Sequence, residues 1–231
     1  MDAVIAQMQH DAILRVSTRC TGFLSRLFLV PKQDGTARLI FNLKRLNNFL
    51  SVKRFRLVSH FKVPSFLQRG DYLVKIDLSQ AYCHVPIRAS HHRFLSLAYR
   101  GVVYEMVGLP FGWVSAPHIF ASLTNWIAEH LRKLGFRIIV YLDDFLLVHQ
   151  DPDVLAAQTG RTLACLEVLG WKVNYTKSIL SPMHGVQFLG IFWNPTADLK
   201  RLPLSKVETI ASLVKGFIAS HIGLDGTSST K

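Results

Sequence analysis

The chain has 231 residues, 49% hydrophobic and 18% charged, which suits one large globular domain or two interleaved subdomains and excludes a disordered chain. A formal charge of +12 favours a polyanionic partner, either nucleic acid or an anionic membrane. Cys20, Cys83 and Cys165 have neither zinc-ligand spacing nor the density of a disulfide framework, so a reducing compartment fits them. No apolar run reaches membrane-spanning length, and Met1-Asp2 does not open a signal peptide. An intracellular location, cytoplasm and/or nucleus, is expected.

The charge is uneven. Residues 1–70 hold twelve Lys and Arg against three acids, which makes a phosphate-binding face the expectation there. A weak helical pattern covers residues 1–20. Ser25 to Val30 reads as a strand, Pro31-Lys32-Gln33-Asp34-Gly35-Thr36 as a turn, and Arg38 to Leu43 as the returning strand. Lys32 and Arg38 on its two arms are either a pair of cations for one polyphosphate or ornaments of a solvated hairpin. Residues 44–70 are basic and irregular. Asp71 to Leu78 reads as a strand that ends on Asp77, which is either a helix cap or a ligand. Leu95 to Met106 predicts a hairpin that turns at Arg100-Gly101.

Ser115 is the predicted N-cap of a helix with an apolar stripe of Ile119, Phe120, Leu123, Ile127, Leu131 and Leu134, closed by Gly135. Val140 to Val148 follows, with Asp143-Asp144 inside an apolar run. Two adjacent carboxylates between short buried strands read either as a solvated turn or as ligands of a hard divalent cation such as Mg²⁺, because unscreened burial of both is costly. Asp151-Pro152 opens a second helix, with Leu155, Thr162, Leu166 and Leu169 inward. Strands are predicted at Trp171 to Tyr175 and Gly185 to Trp193, a helix at Leu202 to Ser220, and a disordered tail from Gly223. The order suggests α+β, an antiparallel sheet with helices on one face. His84, His91 and His92 read as surface or core histidines.

In succession, Ile76-Asp77-Leu78-Ser79-Gln80-Ala81-Tyr82, Leu109-Pro110-Phe111-Gly112-Trp113, Tyr141-Leu142-Asp143-Asp144 and Phe188-Leu189-Gly190 resemble the motifs of reverse transcriptases. Val30 to Arg38, followed by Leu46-Asn47, resembles the fingers hairpin of the same family. The match runs from about Ser25 to about Pro203. The wording resembles retrotransposon enzymes, gypsy-like or DIRS-type, with His60-Phe61-Lys62 and Leu109-Pro110-Phe111-Gly112 leaning to the latter.

The resemblance implies a right-hand polymerase of fingers and palm: fingers at 1–52 and 85–114, palm at 53–84 and 115–200, and the start of a truncated thumb from 201. It implies RNA-directed DNA synthesis from dNTPs on an RNA or DNA template with primer, by two-metal phosphoryl transfer with Mg²⁺ or Mn²⁺; no membrane partner is expected, because the basic residues follow no sustained amphipathic helix. Asp77, Asp143 and Asp144 would be the catalytic and metal-binding acids, with the Leu78 carbonyl as a further ligand. Lys32 and Arg38 would grip the triphosphate, Tyr82 would sit under the sugar as a steric gate, and Phe111 and Gly112 would border the nucleotide. Phe188, Leu189 and Gly190 fall at the primer grip. Lys177 reads first as a solvated lysine, with protonation of the leaving pyrophosphate as the alternative. Phe111 stands where retroviral relatives commonly have Gln, and Asn42 and Lys44 replace a frequent Asp and Arg. The rival expectations are an inactive fingers–palm piece that only binds nucleic acid, and a metal-dependent nuclease.

Overall fold

A computed structural model describes residues 1–18, 22–31, 37–51 and 55–222. Helix α1 (Asp2–His10) buries Ile5 and leads into strand β1 (Leu14–Val16). Strands β2 (Leu24–Ser25), β3 (Leu27–Pro31) and β4 (Ala37–Phe41) follow; β3 and β4 form the predicted hairpin, with Val30 opposite Arg38. A short helix α2 (Lys44–Asn47), a 3-10 turn at His60–Lys62 and helix α3 (Val63–Phe66) lead to strand β5 (Tyr72–Asp77). Strands β6 (Ser96–Tyr99) and β7 (Val102–Met106) meet at Arg100-Gly101, both at positive φ, which matches the twist of a tight hairpin.

Helix α4 (Ala116–Lys133) precedes strands β8 (Arg137–Tyr141) and β9 (Asp144–His149). Helix α5 (Pro152–Val168) is capped by the Asp151 carboxylate, which accepts from the amides of Asp153 and Val154 at 2.8 and 3.2 Å. Strands β10 (Ile179–Met183), β11 (Val186–Phe188), β12 (Ile191–Asn194) and β13 (Leu199–Arg201) end in helix α6 (Leu204–Ile222).

The central sheet runs β10-β5-β9-β8, antiparallel throughout. Strand side chains alternate between faces. Val74, Ile76, Ile138, Val140, Phe145 and Leu147 point to one face and pack against Phe120, Ile127 and Leu131 of α4 and Leu155 and Leu166 of α5. The alternate set, Leu73, Ile139, Leu146 and Val148, points to the other face and packs against Val63, Val186, Phe188 and Trp193. Cover on both faces explains why these strands read as almost unbroken apolar runs. A second sheet, β1-β7-β6-β2, shares a core with α1 and β4; its β2–β6 pair is parallel.

Several local expectations are corrected. Trp171 to Tyr175 is no strand; Val173 makes one isolated bridge, to Leu78. The edge strand is β10 instead, hidden in the sequence by Pro182, which an edge position tolerates. Gly185 to Trp193 is a hairpin, because Leu189 and Gly190 both take positive φ between β11 and β12. Ser115 precedes α4 without a side-chain cap. Leu123, Leu134 and Leu169 are exposed, as the apolar stripes of α4 and α5 are wider than the sheet that covers them. Among the described residues, no helix is long and apolar enough to cross a membrane.

The far end of the central sheet is held by a buried ion pair. Asp71 is fully buried and takes two bonds from the Arg137 guanidinium, at 2.7 and 2.9 Å. Arg137 also donates to the Phe66 carbonyl at 2.7 Å, and the Gln68 amide donates to Asp71 at 2.8 Å. Removing one partner leaves the other charge stranded, so Asp71→Ala is expected to cost about 3–5 kcal/mol in urea unfolding. Asp71→Leu combined with Arg137→Met is expected to recover much of that loss; equal loss in single and double variants would refute the pair's role.

Candidate active site

The near end of the same sheet gathers the acids. In the β5–β9 ladder, the last residue of β5, Asp77, lies directly opposite the first of β9, Asp144. Both leave the sheet on the face that α4 and α5 do not cover, in phase with Leu73, Leu146 and Val148. The β8–β9 turn is Leu142-Asp143, one residue earlier than the Asp-Asp turn expected from sequence, since Tyr141 pairs with Asp144. Leu142 holds φ +53, a strained value for a branched residue, and this turns Asp143 toward β5. The Leu78 amide then donates to the Asp143 carbonyl at 3.0 Å.

The end of β5 is also fixed from behind. The Asp77 amide donates to the Ser178 hydroxyl at 3.0 Å, and that hydroxyl donates to the Asn174 carbonyl at 2.7 Å. The Asn174 amide donates to the Asp77 carbonyl and the Ser79 amide to the Lys172 carbonyl, each at 2.8 Å. Ser178 and Asn174 carried no sequence signal beyond turn composition, because their role depends on a partner a hundred residues away.

Burial first, then the charges of Asp144 and Asp143, push the Asp77 carboxyl up to about 6 against the opposing pull of Lys75 and Lys177. Burial likewise raises Asp143, with a backbone hydrogen bond acting against it. Lys75 Nζ lies 2.9 Å from Asp144 Oδ1. Among the described residues, no three His, Cys, Asp or Glu side chains close around one ion-sized point. The acids thus share one sheet end without forming a finished cage. Lys75 pairs with one of them, Asp144. Their chemistry still fits a hard divalent cation: three carboxylates and adjacent backbone oxygens, with Asp77 disfavoured as an anion by its neighbours.

Tyr82 lies in a 3-10 turn, Ala81–His84, directly after the Asp77 loop. Its half-buried ring meets Phe111 and Phe120 edge-on, with centroids 4.8 and 4.9 Å apart. Burial, then Asp143 and Tyr141, raises its phenol. Gly112 sits at φ +93, and a Cβ there would lie 3.0 Å from the Phe41 carbonyl, so the close approach is to the protein's own backbone. Asn47 buckles this loop: it donates to the Gly112 carbonyl at 2.9 Å and accepts from the Val114 amide at 3.1 Å. Phe188 is fully buried core, so the candidate primer contact narrows to the Leu189-Gly190 turn, whose Gly190 carbonyl accepts from Lys206 at 3.4 Å. Lys32 lies outside the described residues. Arg38 lies on β4, and the placement of its side chain lies outside the description.

The chain is a mixed α/β fold with three acids at one end of an antiparallel sheet. The family model described as reverse transcriptase (RNA-dependent DNA polymerase) matches residues 30–192, and the chain belongs to that family. It is 27% identical over 204 residues to Protein P of duck hepatitis B virus (isolate white Shanghai duck S31), covering 85% of this chain and 25% of that protein. It is 26% identical over 215 residues to the retrovirus-related Pol polyprotein from transposon opus of Drosophila melanogaster, covering 90% and 21%. The fold matches the foamy viral protease-reverse transcriptase in complex with double-stranded DNA, at TM-score 0.80 and 20% identity, over 90% of this chain and 35% of that one. The same foamy viral protein in complex with an RNA/DNA hybrid matches at TM-score 0.77. The fold is thus the fingers and palm of a reverse transcriptase. The chain spans about a quarter of the length of the curated relatives it matches.

Because Asp77 binds its proton more tightly folded than unfolded, its contribution to stability falls as pH rises from the unfolded value of 3.8 to about 6, and the deficit persists above that. In EDTA, Asp77→Asn is expected to flatten this stretch of the stability–pH curve. It should also raise the melting temperature at pH 7.5 by about 2 °C, a modest gain because solvent screens the half-exposed group. A lowered melting temperature would contradict the repulsion.

Proposed function

We propose that this chain carries the polymerase centre of a retroelement reverse transcriptase and extends a primer with dNTPs on an RNA or DNA template. The observation that carries the proposal is the meeting of Asp77 and the Asp143-Asp144 hairpin at the open end of one antiparallel sheet. The +12 charge supports a nucleic-acid partner, and the foamy viral relatives were solved on double-stranded DNA and on an RNA/DNA hybrid. The likeness to transposon opus supports a mobile-element origin, for which a gypsy-like or DIRS-type source is the reading we favour.

Asp77 and Asp143, with the Leu78 carbonyl and Asp144, would hold two divalent ions, Mg²⁺ or Mn²⁺. Such ions supply an acidified 3′-hydroxyl and neutralise the leaving pyrophosphate. The chain's own groups then orient the substrates. Lys32 and Arg38 would grip the triphosphate by charge-assisted bonds. The reach of the Lys177 charge to both Asp77 and Asp143 supports it as a secondary candidate to give a proton to the pyrophosphate. Tyr82, braced between Phe111 and Phe120, closes the space beneath the sugar and excludes a 2′-hydroxyl. Leu189-Gly190 touches the primer strand. On this assignment residues 1–52 and 85–114 are fingers, 53–84 and 115–200 palm, and α6 opens a thumb, working inside a cell.

Primer extension on RNA and DNA templates tests this. Asp143→Asn is expected to lower incorporation by about a thousandfold, the loss of one anionic ligand in the transition state. Binding of template–primer without extension above that variant would leave a binding module only, and strand cleavage without dNTPs would indicate a nuclease. Tyr82→Ala is expected to lower discrimination against ribonucleotides by about tenfold or more; unchanged discrimination would remove Tyr82 from the gate.

A further inference from the structure

Lys75 lies two residues before Asp77 on β5, so both side chains leave the same face of the strand. It is opposite Leu146 of β9 on one side and Ile179 of β10 on the other, in the interior of the sheet. A lysine there is expensive unless its charge is matched. Its ammonium lies 2.9 Å from Asp144 Oδ1, with the two side chains only 17% and 22% exposed. That oxygen is shielded from solvent and takes no hydrogen bond. The contact is a close ion pair, and a cation of higher charge offered to the same oxygen competes with the ammonium for it.

The other charges that face this cluster are Asp77, Asp143 and Lys177. Asp144 is the acid Lys75 holds, and it is the register partner of Asp77. We propose that Lys75 is the resident counter-ion of the acidic cluster, a positioning residue that holds Asp144 and that a divalent ion on Asp77 and Asp143 must displace before Asp144 joins the ligand set. Lys75 thereby sets how tightly the site takes its ions. It opposes their entry by charge and by occupying one oxygen, while keeping the cluster folded when no divalent ion is present. This rests on the assignment of the cluster as a divalent-ion site.

The test is Mn²⁺ binding to the full chain, without nucleic acid or nucleotide, followed by electron paramagnetic resonance. Lys75→Met keeps the stem and its packing but removes the charge. It is expected to tighten Mn²⁺ binding by about tenfold, whereas Lys75→Arg stays within about twofold of wild type. In EDTA, Lys75→Met should melt below wild type and gain more from Mn²⁺. Unchanged or weaker Mn²⁺ binding in Lys75→Met, or equal tightening in Lys75→Arg, would overturn the counter-ion role alone. Wild type binding Mn²⁺ no better than Asp77→Asn would overturn the ion site as well. The wild-type chain offers a check that needs no variant: the Lys75 ¹⁵Nζ and ¹³Cε shifts should move toward those of a solvated lysine as Mg²⁺ saturates. Unmoved shifts at saturation would overturn the displacement.

Discussion

Three carboxylates held together at one end of a buried sheet define a problem that the rest of the molecule is arranged around. Ionised neighbours repel, and burial strengthens the repulsion because little water remains to screen it. The strands that carry these acids must therefore be fixed by forces unrelated to the acids. Apolar packing on both faces supplies most of that: Val74, Ile76, Phe145 and Leu147 against α4 and α5, Leu73, Leu146 and Val148 against the β11–β12 hairpin. The buried Asp71–Arg137 pair clamps the opposite end, and the Ser178 hydroxyl clamps the near one.

Some of the backbone strain lies in the same place. Leu142 is held at a left-handed φ between two core strands, and Gln80, at φ +50, turns the chain directly after Asp77. Sites of this type trade stability for a pre-set geometry. The two lysines near the acids moderate the trade, one by contact and one at longer range. The aromatic brace of Tyr82 and the Asn47 buckle on the 112–114 loop serve the same end, since each ties a loop to a packed element.

The long-range parts were unevenly legible. Helices α4 and α5 and the β6–β7 hairpin follow from periodicity and turn residues, which act over a few neighbours. The β10 strand did not, because Pro182 contradicts a strand and only an edge position excuses it. The β11–β12 hairpin was read as one strand, since Leu at φ +52 is a turn residue no propensity scale favours. Phe188 looked equally like a functional aromatic and a core one, and its complete burial decides for the core.

From its letters alone the chain disclosed its class, its basic character and the three acids, since a charged pair inside an apolar run is anomalous wherever it occurs. The letters could not say which face the acids share, that Lys75 holds one of them, or that Ser178 fixes the end of β5 and Asn47 the 112–114 loop. Those facts depend on strand register and on contacts between residues far apart in sequence, and only the packed sheet brings them within reach of each other.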